Sequence, residues 1–305
     1  ALASARSSLD TKYMNYGGVM NYGMMIAADQ FSTLELQEIA RNAERSGVDN
    51  LWVPELFGRD PFVTCASLLS ATENLRVGTA ITNIYARDAR AIKSAAYSLA
   101  EAHGNRFELG IGLSNKTGND QRGLPWVAPS KKLAEFIHYY NASPLMFDQN
   151  CDVSIYLAAH GPTLMNIAAE KLDGAYVYLK PVEYSQWAKA QLGAKKLHLM
   201  QITVLESDPE IARGIARKAI SIYMPLTNYH RAWREAGFAD EDFSSGGSDH
   251  FIDSLIAWGD LEKVRQRYQL QMDSGVDQII ISPANLNLLQ TESWQTIESL
   301  IAVNS

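Results

Sequence analysis

LRVGTAITNI (residues 75–84) and RFELGIG (residues 106–112) are the two runs of sequence that indicate the fold most directly. Both are mainly apolar, and the first is rich in β-branched residues, which is typical of buried strands. Between them, residues 88–103 are rich in alanine and have helical periodicity. A strand, a helix and a second strand with such short connections predict a βαβ unit with parallel strands.

The same alternation extends over most of the chain. Further strands are predicted at residues 22–28, 50–54, 154–159, 175–179, 197–205 and 278–282. Helices are predicted between them, at residues 33–45, 61–72, 130–140, 163–171, 208–222, 226–236, 250–257, 260–274 and 291–303. About eight strands separated by helices favour an α/β fold, a (β/α)8 TIM barrel, with a doubly wound sheet as the alternative. In such a barrel, functional residues lie on the loops after the carboxyl ends of the strands.

The composition of the 305-residue chain excludes several classes of protein. With 47% hydrophobic and 20% charged residues, the chain has enough apolar side chains for a large core and is not disordered throughout. A net charge of −7 without basic runs argues against nucleic acid or an anionic membrane as a partner. No apolar run has the length of a membrane span, and Cys65 and Cys151 are too few for a disulfide framework. We therefore expect a soluble, cytoplasmic protein.

The first residues of the chain differ from the rest. Residues 1–19 are rich in Ser, Ala and Tyr and lack the continuous apolar segment of a secretory signal. We interpret them as a leader, a tag remnant or a disordered extension. Residues 20–305 are then expected to form a single domain.

Motif searches argue against the common nucleotide and metal sites. GIGLSN (residues 110–115) begins like a dinucleotide-binding fingerprint, but Asn115 stands where the third glycine belongs. No P-loop, HExxH, GxSxG or EF-hand pattern is present, and the six histidines are far apart, so no metal site is predicted. His160 directly follows a predicted strand, which places it on the functional rim of a barrel either as a ligand contact or as a packed side chain.

Two positions near predicted strand ends each allow two interpretations. Glu55 follows the second strand, where an apolar setting raises the pKa of a carboxyl group and lets it exchange protons. The alternative is an ion pair with Arg59 or Arg87. Residues 78–81 either pack as an ordinary part of the third strand or form a strained backbone bulge that supports a flat ligand.

Several motifs, in a specific order and spacing, resemble the bacterial luciferase-like monooxygenase superfamily. They are WVPELFGRDP (52–61), AT (71–72), LRVGTAI (75–81), YAR (85–87), RFELGIG (106–112), IYLAAHGP (155–162), AA (168–169) and LDG (172–174). The resemblance runs from about Met20 to Gly174 with specific motifs, and beyond that as a matching pattern of strands and helices. The end of the second strand and the GRD sequence after it are most similar to the branch that uses the deazaflavin coenzyme F420.

The resemblance implies a TIM-like barrel, usually dimeric, that binds F420 or FMN at the carboxyl-terminal mouth. It also implies a non-prolyl cis peptide bond in the third strand, here between Ala80 and Ile81, that supports the middle ring of the cofactor. Glu55 is then the candidate catalytic residue, because relatives place an acidic residue near the reactive ring at this position.

The resemblance also implies further cofactor contacts at the strand ends. They are Asn83 near the end of the third strand, Gly112, Ser114 and Asn115 at or just after the end of the fourth, and Ala159, His160, Gly161 and Thr163 at or just after the end of the next. The phosphate or ribityl tail is expected near the last two groups, because the helix that begins near residue 162 has an amino terminus that attracts an anion.

Two departures from the family pattern bear on function. Some deazaflavin enzymes have a catalytic His directly after the acid, where this chain has Leu56, and the segment between residues 140 and 154 is short, which leaves a more open mouth.

The first hypothesis is an F420-dependent oxidoreductase that passes a hydride between C5 of the deazaflavin and a carbon of a small organic substrate. The alternatives are a two-component monooxygenase that uses reduced FMN from a separate reductase, and a non-catalytic flavin-binding barrel. A homodimer is expected from the family, and a separate flavin or F420 reductase is the expected partner enzyme.

Overall fold

The computed structural model describes residues 21–147 and 150–302. Eight strands form a closed parallel barrel, in which each strand pairs with the next and the last pairs with the first. They are β1 (Tyr22–Met25), β2 (Asn50–Val53), β3 (Arg76–Thr79), β5 (Phe107–Gly112), β6 (Ile155–Ala158), β7 (Gly174–Tyr178), β8 (Lys196–Leu205) and β10 (Gln278–Pro283). Two short strands, β4 (Thr82–Asn83) and β9 (Ala257–Gly259), add to the carboxyl ends of β5 and β8. The predicted (β/α)8 barrel is therefore confirmed, and a doubly wound sheet is excluded because the sheet closes.

Helices connect the strands and cover the outside of the barrel. They are α1 (Thr33–Arg45), α2 (Pro61–Ser70), α3 (Ala89–Ala102), α4 (Lys116–Gln121), α5 (Pro129–Ala142), α6 (Pro162–Lys171), α7 (Val182–Leu192), α8 (Pro209–Ile220), α9 (Thr227–Glu235), α10 (Asp249–Leu255), α11 (Leu261–Asp273) and α12 (Thr291–Ile301). Several begin where the sequence supplies a side-chain cap. Ser32 and Glu35 form a capping box at the start of α1, and Asp60 accepts the first N–H groups of α2.

The described residues form three apolar clusters. One packs β7 and β8 against α8, α9 and α10, and the other two are layers around and inside the barrel. The larger layer lies between the barrel and the surrounding helices, and it includes the apolar faces of α1, α2 and α3. The inner layer fills the barrel with large side chains, among them Trp52, Tyr156, Tyr176 and Ile280. The barrel is thus a packed core, and a ligand is expected at its mouth, where the strand ends leave loops.

Some of the local predictions are wrong. Residues 75–84 are not one strand but β3 and β4, separated by two residues that leave the ladder. The helix predicted over residues 250–257 ends at Leu255, and Ala257–Gly259 is a strand because it pairs with the end of β8. Helix α4 lies where only a loop was predicted. Residues 1–19 lie outside the described residues, so the division into a leader and a single domain stays a prediction.

Candidate active site

The carboxyl ends of the strands bring the predicted site residues to one end of the barrel, here called the mouth. Glu55 follows β2, and Ala80 and Ile81 lie between β3 and β4. The other positions belong to β4, to the end of β5 and the start of α4, or to the connection from β6 to α6: Asn83, Gly112, Ser114, Asn115, Ala159, His160, Gly161 and Thr163. The prediction that these segments meet at one end of the fold is confirmed, whereas their contacts with a cofactor stay predictions.

A backbone bulge interrupts the third strand at the mouth. Gly78 pairs with Glu108 of β5, and pairing resumes where Thr82 lies opposite Ile111. Thr82 is four residues after Gly78, whereas Ile111 is only three residues after Glu108. The β3–β4 segment therefore contains one residue more than the stretch of β5 opposite it. The Ala80–Ile81 peptide bond inside the bulge is cis. The bulge interpretation and the cis bond implied by the resemblance are both confirmed.

Two glycines of β5 give the bulge its space. A Cβ atom on Gly110 would collide with the carbonyl oxygen of Thr79, and one on Gly112 would lie 2.5 Å from Cδ1 of Ile81. The hydroxyl of Thr79 donates to the carbonyl of Gly110 at 2.7 Å and accepts its N–H at 3.0 Å, which replaces the interrupted ladder. Just beyond, Ser114 is exposed at the mouth with a φ of 55°. The glycines of the GIG sequence therefore allow β5 to lie close to the bulge, which explains them without a bound dinucleotide.

The carboxylate of Glu55 is held by four donors. Oε2 accepts hydrogen bonds from the hydroxyl of Thr82 at 2.9 Å, the backbone N–H of Asn83 at 3.0 Å and the guanidinium of Arg87 at 2.7 Å. Oε1 accepts a hydrogen bond from Arg122 at 2.8 Å. The Glu55 side chain is only 6% exposed. The arrangement ties β4, immediately after the bulge, to the loop that follows β2.

These donors make the carboxyl group of Glu55 more acidic. Burial by itself raises the pKa of Glu55, but the backbone N–H of Asn83, the hydrogen bonds from Arg122 and Thr82 and the charge of Arg87 together lower it below the ordinary value. Of the two interpretations of Glu55, the raised pKa is wrong, because it considered the apolar surroundings and not the donors, and the alternative of an ion pair is supported. Glu55 is therefore ionised at neutral pH, as a proton acceptor must be.

The arginines around Glu55 are only partly those that the sequence indicated. The predicted ion pair with Arg87 is confirmed. Arg59 instead donates to the carbonyls of Ala28 and Phe31, after β1. Arg122 was missed, because it lies 67 residues from Glu55 and at the end of α4, where no helix was predicted.

Helix α4 is fastened to the mouth by asparagine side chains. The amide of Asn83 donates to Asn119 at 2.8 Å, and Asn119 donates to the carbonyl of Leu113 at 3.1 Å. Asn115 caps α4 by accepting the N–H of Gly118 at 2.8 Å. Asn83 and Asn115 thus have partners within the chain, so part of their role is to position α4.

The amino terminus of α6 offers hydrogen-bond donors at the mouth. Its N-cap is Gly161, which has no side chain to cap the helix, and Pro162 has no N–H. The N–H groups of Thr163 and Leu164 have no acceptor within the helix, because they belong to its first turn. The Nδ1 atom of His160 is shielded from solvent and has no hydrogen-bond partner among the described residues. Burial lowers the pKa of His160 to about 3, so the ring is neutral. These groups fit a bound anion.

A polar cavity of about 510 Å³ lies at the opposite end of the barrel. It is lined by the amino-terminal ends of strands, including Asn50, Arg76, Glu108 and Gln278. Gln278 donates to Asn50 at 2.8 Å, and Asn50 donates to Glu108 at 2.8 Å, so the groups satisfy one another. Residues at this end of a TIM barrel contribute to stability, and we assign the cavity that role.

Residues 21–147 and 150–302 contain neither a candidate metal site nor a candidate membrane-spanning helix. No group of three or more His, Cys, Asp or Glu side chains is arranged there to hold a metal ion. None of the helices in this part of the chain combines the length and the apolar character needed to cross a membrane.

Comparison with known proteins assigns the family. The family model described as luciferase-like monooxygenase matches residues 19–278. The chain belongs to this family. Among its relatives, a 5,10-methylenetetrahydromethanopterin reductase of Methanolobus tindarius is 28% identical over 183 residues, which cover 53% of this chain and 56% of that protein. A putative coenzyme F420-dependent oxidoreductase of Mycobacterium tuberculosis is 24% identical, with 80% of this chain and 89% of that protein covered.

The chain spans little more than half the length of the methanopterin reductases that it matches. The fold of the family is also seen in solved structures. The coenzyme F420-dependent tetrahydromethanopterin reductase of Methanopyrus kandleri superimposes with a TM-score of 0.70 at 15% identity, covering 93% of this chain and 98% of that one. At this identity the likeness supports the luciferase-like barrel and leaves the reaction to be argued from the site.

Proposed function

We propose that this luciferase-like protein is an F420-dependent oxidoreductase that transfers a hydride to or from a small organic substrate. The observation that carries the proposal is the bulge at Ala80–Ile81, which lies at the mouth between Glu55 and the donor-rich amino terminus of α6. The F420-dependent relatives support the choice of coenzyme. When bound, the deazaflavin supplies the hydride donor or acceptor.

The residues of the chain supply binding and orientation. In the proposed site, the bulge at Ala80–Ile81 supports one face of the ring system and leaves the other face for the substrate. The N–H groups of Thr163 and Leu164, together with His160, hold the anionic tail, because unpartnered donors at a helix amino terminus stabilise negative charge. Glu55 acts as an ionised carboxylate, so we propose that it accepts a proton or orients the loop rather than donating a proton.

We also propose that the protein is a cytoplasmic homodimer and that a separate flavin or F420 reductase is its partner enzyme. Large apolar side chains support the dimer: Leu34 is 76% exposed, Phe57 95% and Val63 70%. A hydrogen bond of 3.2 Å from Arg59 to Thr33 joins the segments that carry them. An exposed apolar surface of this kind is typical of protein interfaces.

A fluorescence titration tests the choice of coenzyme. We expect micromolar binding of F420 and much weaker binding of FMN, followed by reduction or oxidation of the bound deazaflavin by a substrate. Binding of FMN but not F420 would favour the two-component monooxygenase. Binding of neither would favour the non-catalytic barrel and contradict the proposal.

A further inference from the structure

Helix α4 lies across one side of the mouth. It begins shortly after β5, and Asn119 in its middle accepts a hydrogen bond from Asn83 of β4 at 2.8 Å. Arg122 at its end donates to Glu55, after β2, at 2.8 Å. Because β2, β3 and β5 are consecutive strands of the barrel, α4 crosses the end of the strand that the bulge interrupts. The position of α4 therefore decides how open this side of the mouth is.

Polar contacts, and not apolar packing, hold α4 in place. Its six residues, KTGNDQ, include no large apolar side chain, and Asn119 is the buried one. Gly118 in the middle of the helix lowers its intrinsic stability. Residues with positive φ lie on both sides, Ser114 at 55° and Gly123 at 67°. An element with so few buried apolar contacts opens locally at a small cost in free energy.

The guanidinium of Arg122 makes the contact between α4 and the segment after β2. One of its nitrogens donates to Oε1 of Glu55 at 2.8 Å, and another donates to the backbone carbonyl of Leu56 at 2.7 Å. The Arg122 side chain is 35% exposed, whereas that of Glu55 is 6% exposed. A hydrogen bond between two charged groups is stronger than one to a neutral carbonyl. The attachment of α4 thus depends mainly on the charge of Glu55.

The two carboxylate oxygens of Glu55 differ in their partners. Oε2 accepts three hydrogen bonds, from Thr82, Asn83 and Arg87. Oε1 accepts a hydrogen bond from Arg122 alone among the described residues. A carboxylate oxygen has two lone pairs, so Oε1 keeps one that is free to take up a proton. A proton on Oε1 removes the charge that Arg122 binds.

We propose that Arg122 is a positioning residue that holds α4 over the mouth while Glu55 is ionised and releases it when Oε1 takes up a proton. The source of that proton rests on the proposed function. When a substrate is oxidised, a C–H bond gives up a hydride to the coenzyme and an O–H or N–H bond gives up a proton to Oε1. Glu55 becomes a neutral acid, and the hydrogen bond from Arg122 is broken. The product leaves through the open side, and Glu55 returns its proton to water before α4 closes.

Hydrogen exchange of the intact chain at pH 7, without a coenzyme, tests the contact. Arg122→Met removes the donor, whereas Glu55→Gln removes the charge. We expect each to speed exchange in residues 115–123 about tenfold or more, on the scale of a charge-assisted hydrogen bond. The double variant is expected to exchange no faster than Glu55→Gln alone, because both changes remove the same contact. Lys116→Met is the matched control, since its pair with Asp120 is exposed and lies within α4, and less than about a twofold change is expected.

Acid gives a second readout, which a contact independent of charge would not give. The charged groups that face Glu55 are Arg87 and Arg122, with Asp60 behind Arg87. The pKa of Glu55 lies below its ordinary value of 4.5, because its donors outweigh the effect of burial. Relative to the unfolded chain, protection of residues 115–123 is therefore expected to fall between about pH 5 and pH 3. In Glu55→Gln it is expected to stay constant.

Three results would overturn the proposal. They are equal protection of residues 115–123 with and without Arg122, losses of protection that add in the double variant, and the same acid dependence in Glu55→Gln as in the natural chain. If Glu55→Gln does not fold, Arg122→Lys takes its place at pH 7. It keeps the charge but not the planar contact through two nitrogens, so its exchange is expected to lie between those of the natural chain and Arg122→Met. Exchange outside that range would count against the proposal.

The kinetics of F420 binding separate a failure of this proposal from a failure of the proposed function. In Arg122→Met, stopped-flow fluorescence is expected to show association and dissociation of F420 that are both several-fold faster, with little change in their ratio, because α4 no longer restricts the mouth. Faster exchange in α4 with unchanged F420 rates would contradict the role of Arg122 at the mouth. Faster exchange in a chain that does not bind F420 would leave the contact with Glu55 intact and contradict only the proposed function.

Discussion

The carboxylate of Glu55 accepts the backbone N–H of Asn83 at 3.0 Å, between the ends of two neighbouring strands at the mouth of the barrel. The backbone N–H of Glu55 donates in turn to the carbonyl of Ile81 at 3.2 Å. Glu55 alone therefore holds both the bulge at Ala80–Ile81, through its backbone, and strand β4, through its side chain. Because two arginines complete this arrangement, the charge of Glu55 is as important as its shape.

Glu55→Gln is expected to destabilise the protein. An amide keeps the size of the side chain but removes the carboxylate that Arg122 and Arg87 bind, and only Arg87 keeps a second ion pair in the described structure, with Asp60. Leaving a largely buried charge without its partner costs about 2–4 kcal/mol of unfolding free energy, measured by urea denaturation at pH 7. Asp120→Asn is the control, because its pair with Lys116 is exposed and is expected to contribute less than about 1 kcal/mol. Similar losses in both variants would contradict the role assigned to Glu55.

The same variant separates binding from chemistry. We expect Glu55→Gln to keep the dissociation constant of the cofactor within a few-fold, because the anionic tail is bound by α6. Turnover is expected to fall about 100-fold or more, which is the usual scale for acid–base catalysis. Fluorescence titration and steady-state kinetics measure the two effects, and unchanged turnover would remove Glu55 from the mechanism.

The stability difference between the natural chain and Glu55→Gln is expected to depend on pH. The pKa of Glu55 is lower in the folded chain than its ordinary value of 4.5. An acid with a lowered folded pKa stabilises the fold fully above its unfolded pKa, and this contribution disappears as the pH falls through the folded pKa. Urea denaturation between pH 7 and pH 3 should therefore show a constant difference down to about pH 5 and a shrinking one below it. A stability difference that grows on acidification would mean that folding raises the pKa of Glu55, and it would contradict the prediction.

Gly112→Ala tests the close approach of β5 to the bulge. The added Cβ would lie 2.5 Å from Ile81, so the bulge has to shift. Overpacking of this kind costs about 1–3 kcal/mol of unfolding free energy, and displacement of the bulge is expected to weaken cofactor binding. Combining Gly112→Ala with Ile81→Ala should restore part of both losses. Gly214→Ala in α8 is the control, because nothing lies within 4 Å of its new Cβ and a helical alanine is expected to stabilise the chain by up to about 1 kcal/mol.

Lys180→Met is expected to change how stability depends on pH at the alkaline side. The pKa of Lys180 falls from 10.5 to about 8 in the folded chain. Between these values the unfolded chain binds more protons, so stability due to Lys180 rises with pH. We expect the natural chain to gain about 2 kcal/mol relative to Lys180→Met between pH 7.5 and pH 10, measured by urea denaturation. His160, Tyr184 and Glu235 face Lys180 and are the same in both proteins, so the comparison isolates the lysine.

Sequence patterns predicted those parts of the site that depend on short stretches of the chain. The strand ends that carry Gly112 and His160 follow from short apolar runs, and the position of the cis bond follows from the family motif. The interpretation that Glu55 has a raised pKa was wrong, because the pKa depends on donors from other parts of the chain, at Thr82 and Asn83, at Arg87 and at Arg122. Asn83 and Asn115 were predicted as cofactor contacts, and the structure adds their role in holding α4.

Periodicity over a few residues was enough to establish the alternation of strands and helices, and hence the barrel and the end at which its site lies. The partners within that site came only from the folded chain: Arg122 reaches Glu55 over 67 residues, and Lys180 reaches Ala232 over 52. The reason is physical. Secondary structure depends on neighbours along the chain, whereas the charge state of Glu55 and the burial of Lys180 depend on distances in space that no linear pattern contains.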